Sequence, residues 1–128
     1  MAGPRAIWKA VPEEHDYSAA AAYLSLILPN RHVQQLVTKL RSADSAVGKA
    51  KDLVRASGLP LLGRDNPHVA SDLEKILQGT ALSPLLAIRG EMASGLPLVI
   101  ADGYHRLCAS HLFDENAEVQ FRIVDRPD

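Results

Sequence analysis

The chain has 128 residues, 47% of them apolar, and a net charge of −1. That length suits one domain with a single real core. The even charge balance argues against a strongly basic nucleic-acid binder, and one cysteine, Cys108, excludes an internal disulfide or a cysteine-built zinc centre.

At the start of the chain, AIWKAV (6–11) reads as a short strand, interrupted by the acidic PEEHD. Asp16 is placed to cap a first helix, along which Tyr17, Ala20, Ala21, Leu24 and Leu28 recur at helical spacing until Pro29 stops it. Asn30 is placed to cap a second, with Val33, Leu36, Val37 and Leu40 as its apolar stripe. A third is expected to begin near Asp44 or Ser45, to use Val47, Ala50, Leu53 and Val54, and to end before Gly58, which tolerates a positive φ. LPLLGRDNP then links to a fourth. Asn66 followed by Pro67 is a helix-start signal, Val69, Leu73, Ile76 and Leu77 supply the apolar face, and Gly79 ends it.

Beyond Gly79 the period changes. SPLLAIR and LPLVIA, separated by GEMASG, read as two strands. Both are apolar on both faces, which predicts central positions in a sheet. A last helix is expected from about Tyr104 to Phe113. EVQFRIV closes the chain as a strand with Val119, Phe121 and Ile123 on one face. The class is α+β, a small mixed sheet covered by helices. It forms a single domain over 1–128, in which residues 1–46 are a helical N-terminal extension and 47–124 the core.

LVIADGYHR (98–106) carries the chemistry. Tyr104, Leu107, Cys108, His111 and Leu112 share an arc of roughly 140° on the last helix, and His105 and Arg106 point away from it in the first turn. Free amides and the positive end of the helix dipole lie in that same turn. Gly103 allows close backbone approach, arginine can fork onto a phosphate, and histidine can donate a hydrogen bond or move a proton. Together these make an anion site at Gly103, Tyr104, His105 and Arg106. Asp102 has two readings: an N-cap for the helix, or a base toward a substrate hydroxyl or a metal ligand. His105, Cys108 and His111 spread too far around the helix to share one zinc. His111 reads as a packed core histidine. EEHD (13–16) reads as an acidic helix start, and RDNPH (64–68) as a loop into a capped helix whose polar side chains could line a pocket.

The stretch PLLAIRG…LPLVIADGYHRLCAS…AEVQFRIV resembles the ParB/sulfiredoxin superfamily over residues 47–124, best over 84–124. Members of that family place a Gly-x-x-Arg turn between a strand and a helix and bind nucleotide phosphates there. In sulfiredoxins the turn is Gly-Cys-His-Arg. Gly103, His105 and Arg106 match it, but Tyr104 stands where the catalytic cysteine would be, and Cys108 lies one turn later on the buried stripe. The sulfiredoxin reaction is therefore not implied. In ParB partition proteins the turn is Gly-Glu-Arg-Arg. Gly103 and Arg106 match, but the later Glu-Asn-x-Gln-Arg motif of the CTP site and the helix-turn-helix are missing. A looser similarity to the ADP-dependent free-serine kinase, with Asp-Gly-His-x-Arg, covers Asp102, Gly103 and Arg106. It implies phosphate contacts from His105 and Arg106, with Asp102 near the transferred group. Glu13, Glu14 and Asp16 are candidate bases by type only.

The resemblance thus implies a nucleotide or phosphate binder using the DGYHR turn, with ATP, ADP or CTP and Mg2+ as the ligand set, and the residues themselves assign no metal site. Catalysis, if there is any, would fall to Asp102 and His105, as a phosphotransferase or nuclease. The contrasting reading is a non-catalytic interaction module, with a partner or a second copy on the N-terminal helices. Residues 31–64 carry seven Lys or Arg against two Asp, a net +5, and 65–128 carry five against ten, a net −5. This split is either a set of solvated helix faces or a basic surface for an anionic partner. No apolar run approaches the ~20 residues of a membrane span, and no apolar h-region opens the chain, so a cytoplasmic location with no membrane partner is expected.

Overall fold

A computed structural model describes residues 5–127. Its elements run α1 (Glu14–Leu24), α2 (Asn30–Ser42), β1 (Ala46–Lys49), α3 (Ala50–Ser57), α4 (Pro67–Gln78), β2 (Leu85–Ile88), β3 (Val99–Asp102), α5 (Tyr104–Phe113) and β4 (Glu118–Val124). The class is α+β. The open sheet has the order β1-β4-β2-β3, with β4 and β2 parallel and the two outer pairs antiparallel.

Strand periodicity sorts the core onto the sheet's two faces. Leu86, Ile88 and Ala101 pack with Tyr17, Leu24, Val33, Leu36 and Leu40 of α1 and α2. Leu85, Ala87, Ile100 and Val119 turn the other way, onto Leu53 of α3 and Leu107 of α5. Helix α4 lies outside α5, joined to it through Val69, Leu73, Ile76, Cys108 and Ala109. Since α1 and α2 cover one face of β2, β3 and β4, they share a core with the sheet.

Several local expectations need correcting. Residues 46–49 are strand, and the third helix starts only at Ala50. Val47, Ala50 and Val54 happen to fall at helical spacing, but pairing with β4 sets the backbone, Gly48 opposite Val119. Gly48 also leaves room for the Phe121 ring, 3.3 Å from where a Cβ would sit. Residues 6–11 form no strand of the sheet. Trp8 makes a single bridge to Leu82, and its indole donates to the Glu118 carbonyl at 3.0 Å. β3 is an edge strand. Its apolar character comes from helices covering both faces, which edge position does not prevent. Asp16 sits at the third position of α1, where its carboxylate accepts from the Glu13 amide at 2.8 Å. Asn30 opens α2 without capping it, since Pro29 holds the cap position. Leu112 is exposed, because only residues 107–110 of α5 are enclosed between α4, α3 and the sheet.

Other signals hold. Asn66 accepts from the amides of His68 (2.9 Å) and Val69 (3.2 Å), with Pro67 at the first helical position. Gly58 and Gly79 end their helices in the left-handed region. Val119, Phe121 and Ile123 share one face of β4. On its other face stands Arg122, buried, whose Nη1 donates to the Tyr17 hydroxyl (3.1 Å) and to the carbonyls of Leu40 (3.1 Å) and Arg41 (2.9 Å). A cation thereby satisfies C-terminal carbonyls of α2, that of Leu40 shared with the Ala43 amide at 3.4 Å, and ties the α1–α2 pair to the sheet.

Candidate functional site

β3 ends at Asp102, and Gly103 turns the chain into α5 with φ of 102°. The turn is tight. A Cβ at Gly103 would lie 2.7 Å from Arg106 Nη2 and 2.9 Å from Leu85 Cγ. The first bond inside α5 runs from the Leu107 amide to the Gly103 carbonyl at 3.0 Å. The amides of Tyr104, His105 and Arg106 therefore have no helical acceptor, and no side chain caps them. Asp102 does not take the capping role. Its Oδ2 accepts from Arg106 Nη2 at 3.0 Å instead.

Arg106 is not the free outward cation that its place in the first turn suggests. Its side chain is 16% exposed, and the guanidinium lies between Asp102 and Asp16, with Nη1 3.6 Å from Asp16 Oδ1. Nη2 also reaches the Pro84 carbonyl at 3.4 Å, and Nε is buried without a partner. Asp16 comes from the first turn of α1, far away in sequence. Glu13 and Glu14, named beside it as bases, are engaged elsewhere: Glu13 with Lys9, Glu14 with both terminal nitrogens of Arg41. Burial pushes the Asp102 carboxyl above its ordinary value. Arg106 opposes that shift, and the neighbouring Asp16 carboxyl adds to it.

Tyr104 faces inward. Its hydroxyl donates to the Pro60 carbonyl at 2.5 Å and pins α5 to the 58–63 linker, and desolvation holds its proton more firmly than in water. Cys108 is fully buried among α4 side chains, and His111 is half-buried.

In front of the turn lies a polar cleft of about 270 Å³ between α4 and α5. Asp102, Gly103, His105 and Arg106 form one wall, and His68, Ser71, Asp72 and Lys75 form the other. The rings of His68 and His105 meet at a tilt of 37°, their centroids 4.9 Å apart. Lys75 is half-exposed and 3.8 Å from Asp72. The α4 wall has a signal in the sequence that only its apolar counterpart made visible: positions 68, 71, 72 and 75 form a polar stripe at i, i+3, i+4, i+7. Nothing local betrays Asp16, whose place in the helix start accounts for it fully.

Among the described residues no three His, Cys, Asp or Glu side chains gather to hold a metal ion. Asp72 and Asp102 reach the same cleft, but Asp102 is committed to Arg106, so the protein groups do not fit a resident Mg2+. Among those residues, no helix is long and apolar enough to cross a membrane. Compared with protein-family models, curated proteins and solved structures, the chain has no match.

Proposed function

We propose that this chain is a ParB/sulfiredoxin-like protein that binds a phosphate-bearing ligand, a nucleotide in the first instance, in the cleft between α4 and α5. One observation carries the reading: the uncapped amides of Tyr104, His105 and Arg106 open a ten-residue helix beside a polar cleft whose side chains include His68, His105 and Lys75. Such amides and the helix dipole favour an anion. In this reading Gly103 supplies the turn that Arg106 and Leu85 pack against, His105 and Lys75 contact the phosphate, and His68 orients His105. Tyr104 contributes its amide alone. Arg106 frames the cradle, because its charge is already matched by Asp16 and Asp102. Any Mg2+ would arrive on the ligand's own phosphates.

A second reading, phosphoryl transfer, draws on the Asp16–Arg106–Asp102 group. Asp102 borders the cleft with a raised pKa, a property suited to proton transfer to or from a substrate hydroxyl. It predicts turnover of a nucleoside di- or triphosphate that Asp102→Asn abolishes without loss of binding.

The deciding experiment is thermal stability against pyrophosphate, ADP, ATP and CTP, with and without Mg2+. A ligand at about 100 times its Kd adds about 2.7 kcal/mol, several degrees for a domain of this size. The expected result is a shift in the wild type that His105→Ala and Lys75→Ala each abolish. No shift with any of the four, or one unchanged in both variants, overturns the proposal. The interaction-module reading would then be taken up with charge reversals at the exposed Lys49, Lys51 and Arg55.

A further inference from the structure

A second cavity lies on the opposite side of the sheet from α5, where the chain leaving α1 meets the ends of β2 and β3. Its volume is about 370 Å³, within the range of about 300–1,000 Å³ typical of small-molecule sites. The wall is almost entirely apolar, built from Leu24, Ile27, Leu28, Ile88, Pro97 and Val99. Ile27 and Leu96, 53% and 40% exposed, flank the opening.

Among the described residues two polar side chains border it, His32 of α2 and Arg126 after β4, and no acid does. The acid that precedes Arg126, Asp125, is held by Arg89 Nε at 2.8 Å. Among the described residues no carboxylate pairs with Arg126 or His32. An apolar chamber with a guanidinium and an imidazole at its edge matches a ligand with an apolar body and one anionic end. Among the described residues a cation finds no counter-charge there, and a di- or triphosphate finds no polar wall.

We infer that this cavity binds a medium-chain aliphatic carboxylate, its chain among the α1, β2 and β3 side chains and its carboxylate on Arg126 and His32. Arginine matches a carboxylate in planar, two-bonded geometry. The site is independent of the α4–α5 cleft.

The test is calorimetric titration of the whole protein with hexanoate, octanoate and decanoate below their micelle concentrations, with 1-octanol as the uncharged control. Affinity is expected to rise roughly fourfold per methylene while the chain stays inside the cavity. Arg126→Glu should weaken decanoate at least tenfold and leave 1-octanol unchanged. Ile27→Glu, at an exposed position where folding is little affected, should weaken both ligands. No heat with decanoate at about 1 mM at either about 10 or about 35 °C, two temperatures at which the heat-capacity change of apolar burial keeps the enthalpy from vanishing at both, overturns the inference. So does decanoate binding that both variants leave intact. Concentration-dependent dimerisation abolished by Ile27→Glu, with no carboxylate effect, would assign the cavity to a second copy of the chain and equally overturn it.

Discussion

Arg106 and Asp16 are 90 positions apart in the chain, and the guanidinium of one lies 3.6 Å from the carboxylate of the other, which is 2% exposed. This pair joins α1 to the start of α5 across the end of β3. Removing one partner of a buried ion pair leaves the other charge uncompensated, at about 3–5 kcal/mol. Arg106→Ala is therefore expected to lower stability by about 3 kcal/mol, measured by urea denaturation. The Asp16 contact is long, which places the value at the low end. Loss of ligand binding in Arg106→Ala would consequently say little about phosphate contact, and His105 and Lys75 are the cleaner probes.

Asp102 sets a pH dependence. Its carboxyl is raised above 3.8, mainly by burial, so the folded state holds that proton more tightly than the unfolded chain does. Between the two pKa values the folded state binds more protons, and stability must fall as pH rises through that window. Below the unfolded pKa the contribution is complete. Asp102→Asn removes the titration. The difference in unfolding free energy between wild type and Asp102→Asn should therefore move in the variant's favour as pH rises from about 4 towards neutrality. Denaturant titrations at stepped pH check this, and a difference that is flat across the range contradicts it.

Gly103 has two independent demands on it, a φ of 102° and contacts below 3 Å for any added Cβ. Gly58 has only the first: its φ is 65°, with nothing within 4 Å of a Cβ. The left-handed region alone costs an alanine roughly 1–2 kcal/mol. Gly58→Ala should lose about 1 kcal/mol and Gly103→Ala at least about 2 kcal/mol more. Equal losses would mean that Leu85 and Arg106 move aside freely.

How much of this was legible depends on the range of the interaction that decides each element. Helices α2 and α4 follow from their own stripes, and Gly58 and Gly79 end helices for a reason each carries locally. The glycine turn after a strand was legible at Gly103, because strand, glycine and helix are contiguous. β1 was not, since four residues cannot show a period and its pairing partner lies about 70 positions on. The edge position of β3 was hidden for a related reason, because an apolar run reports covered faces and is silent about neighbours. At the site, His105 could be placed by angle along α5. The partners of Arg106 could not, as Asp16 arrives from the opposite end of the chain.

Arg122 shows the same limit in a strand. By alternation it faces away from Val119 and Phe121, towards what could have been solvent, yet it is 8% exposed and bonded to three oxygens of α1 and α2. Orphaning a buried acceptor costs about 1–3 kcal/mol. Arg122→Leu should destabilise by about 2–4 kcal/mol, and Tyr17→Phe, which removes one acceptor and keeps the ring, by about 1 kcal/mol. A neutral Arg122→Leu would mean that the Arg41 carbonyl finds water once the arginine is gone, Leu40 keeping the Ala43 amide.

Asn66 and Asn30 look alike in sequence, each an asparagine at the start of an amphipathic helix. In the fold only Asn66 caps, accepting from two amides, while Asn30 already lies inside α2 behind Pro29. A capping asparagine replaced by alanine typically costs about 1 kcal/mol, whereas alanine inside a helix is the best of formers. Asn66→Ala should therefore lower the unfolding free energy by about 1 kcal/mol, and Asn30→Ala should leave it unchanged or raise it slightly. Because α4 forms the far wall of the cleft, Asn66→Ala should also loosen His68. Since His68 orients the His105 that contacts the phosphate in the proposed reading, ligand affinity should fall in Asn66→Ala and stay constant in Asn30→Ala. Parallel urea titrations and pyrophosphate titrations of the two variants separate these outcomes.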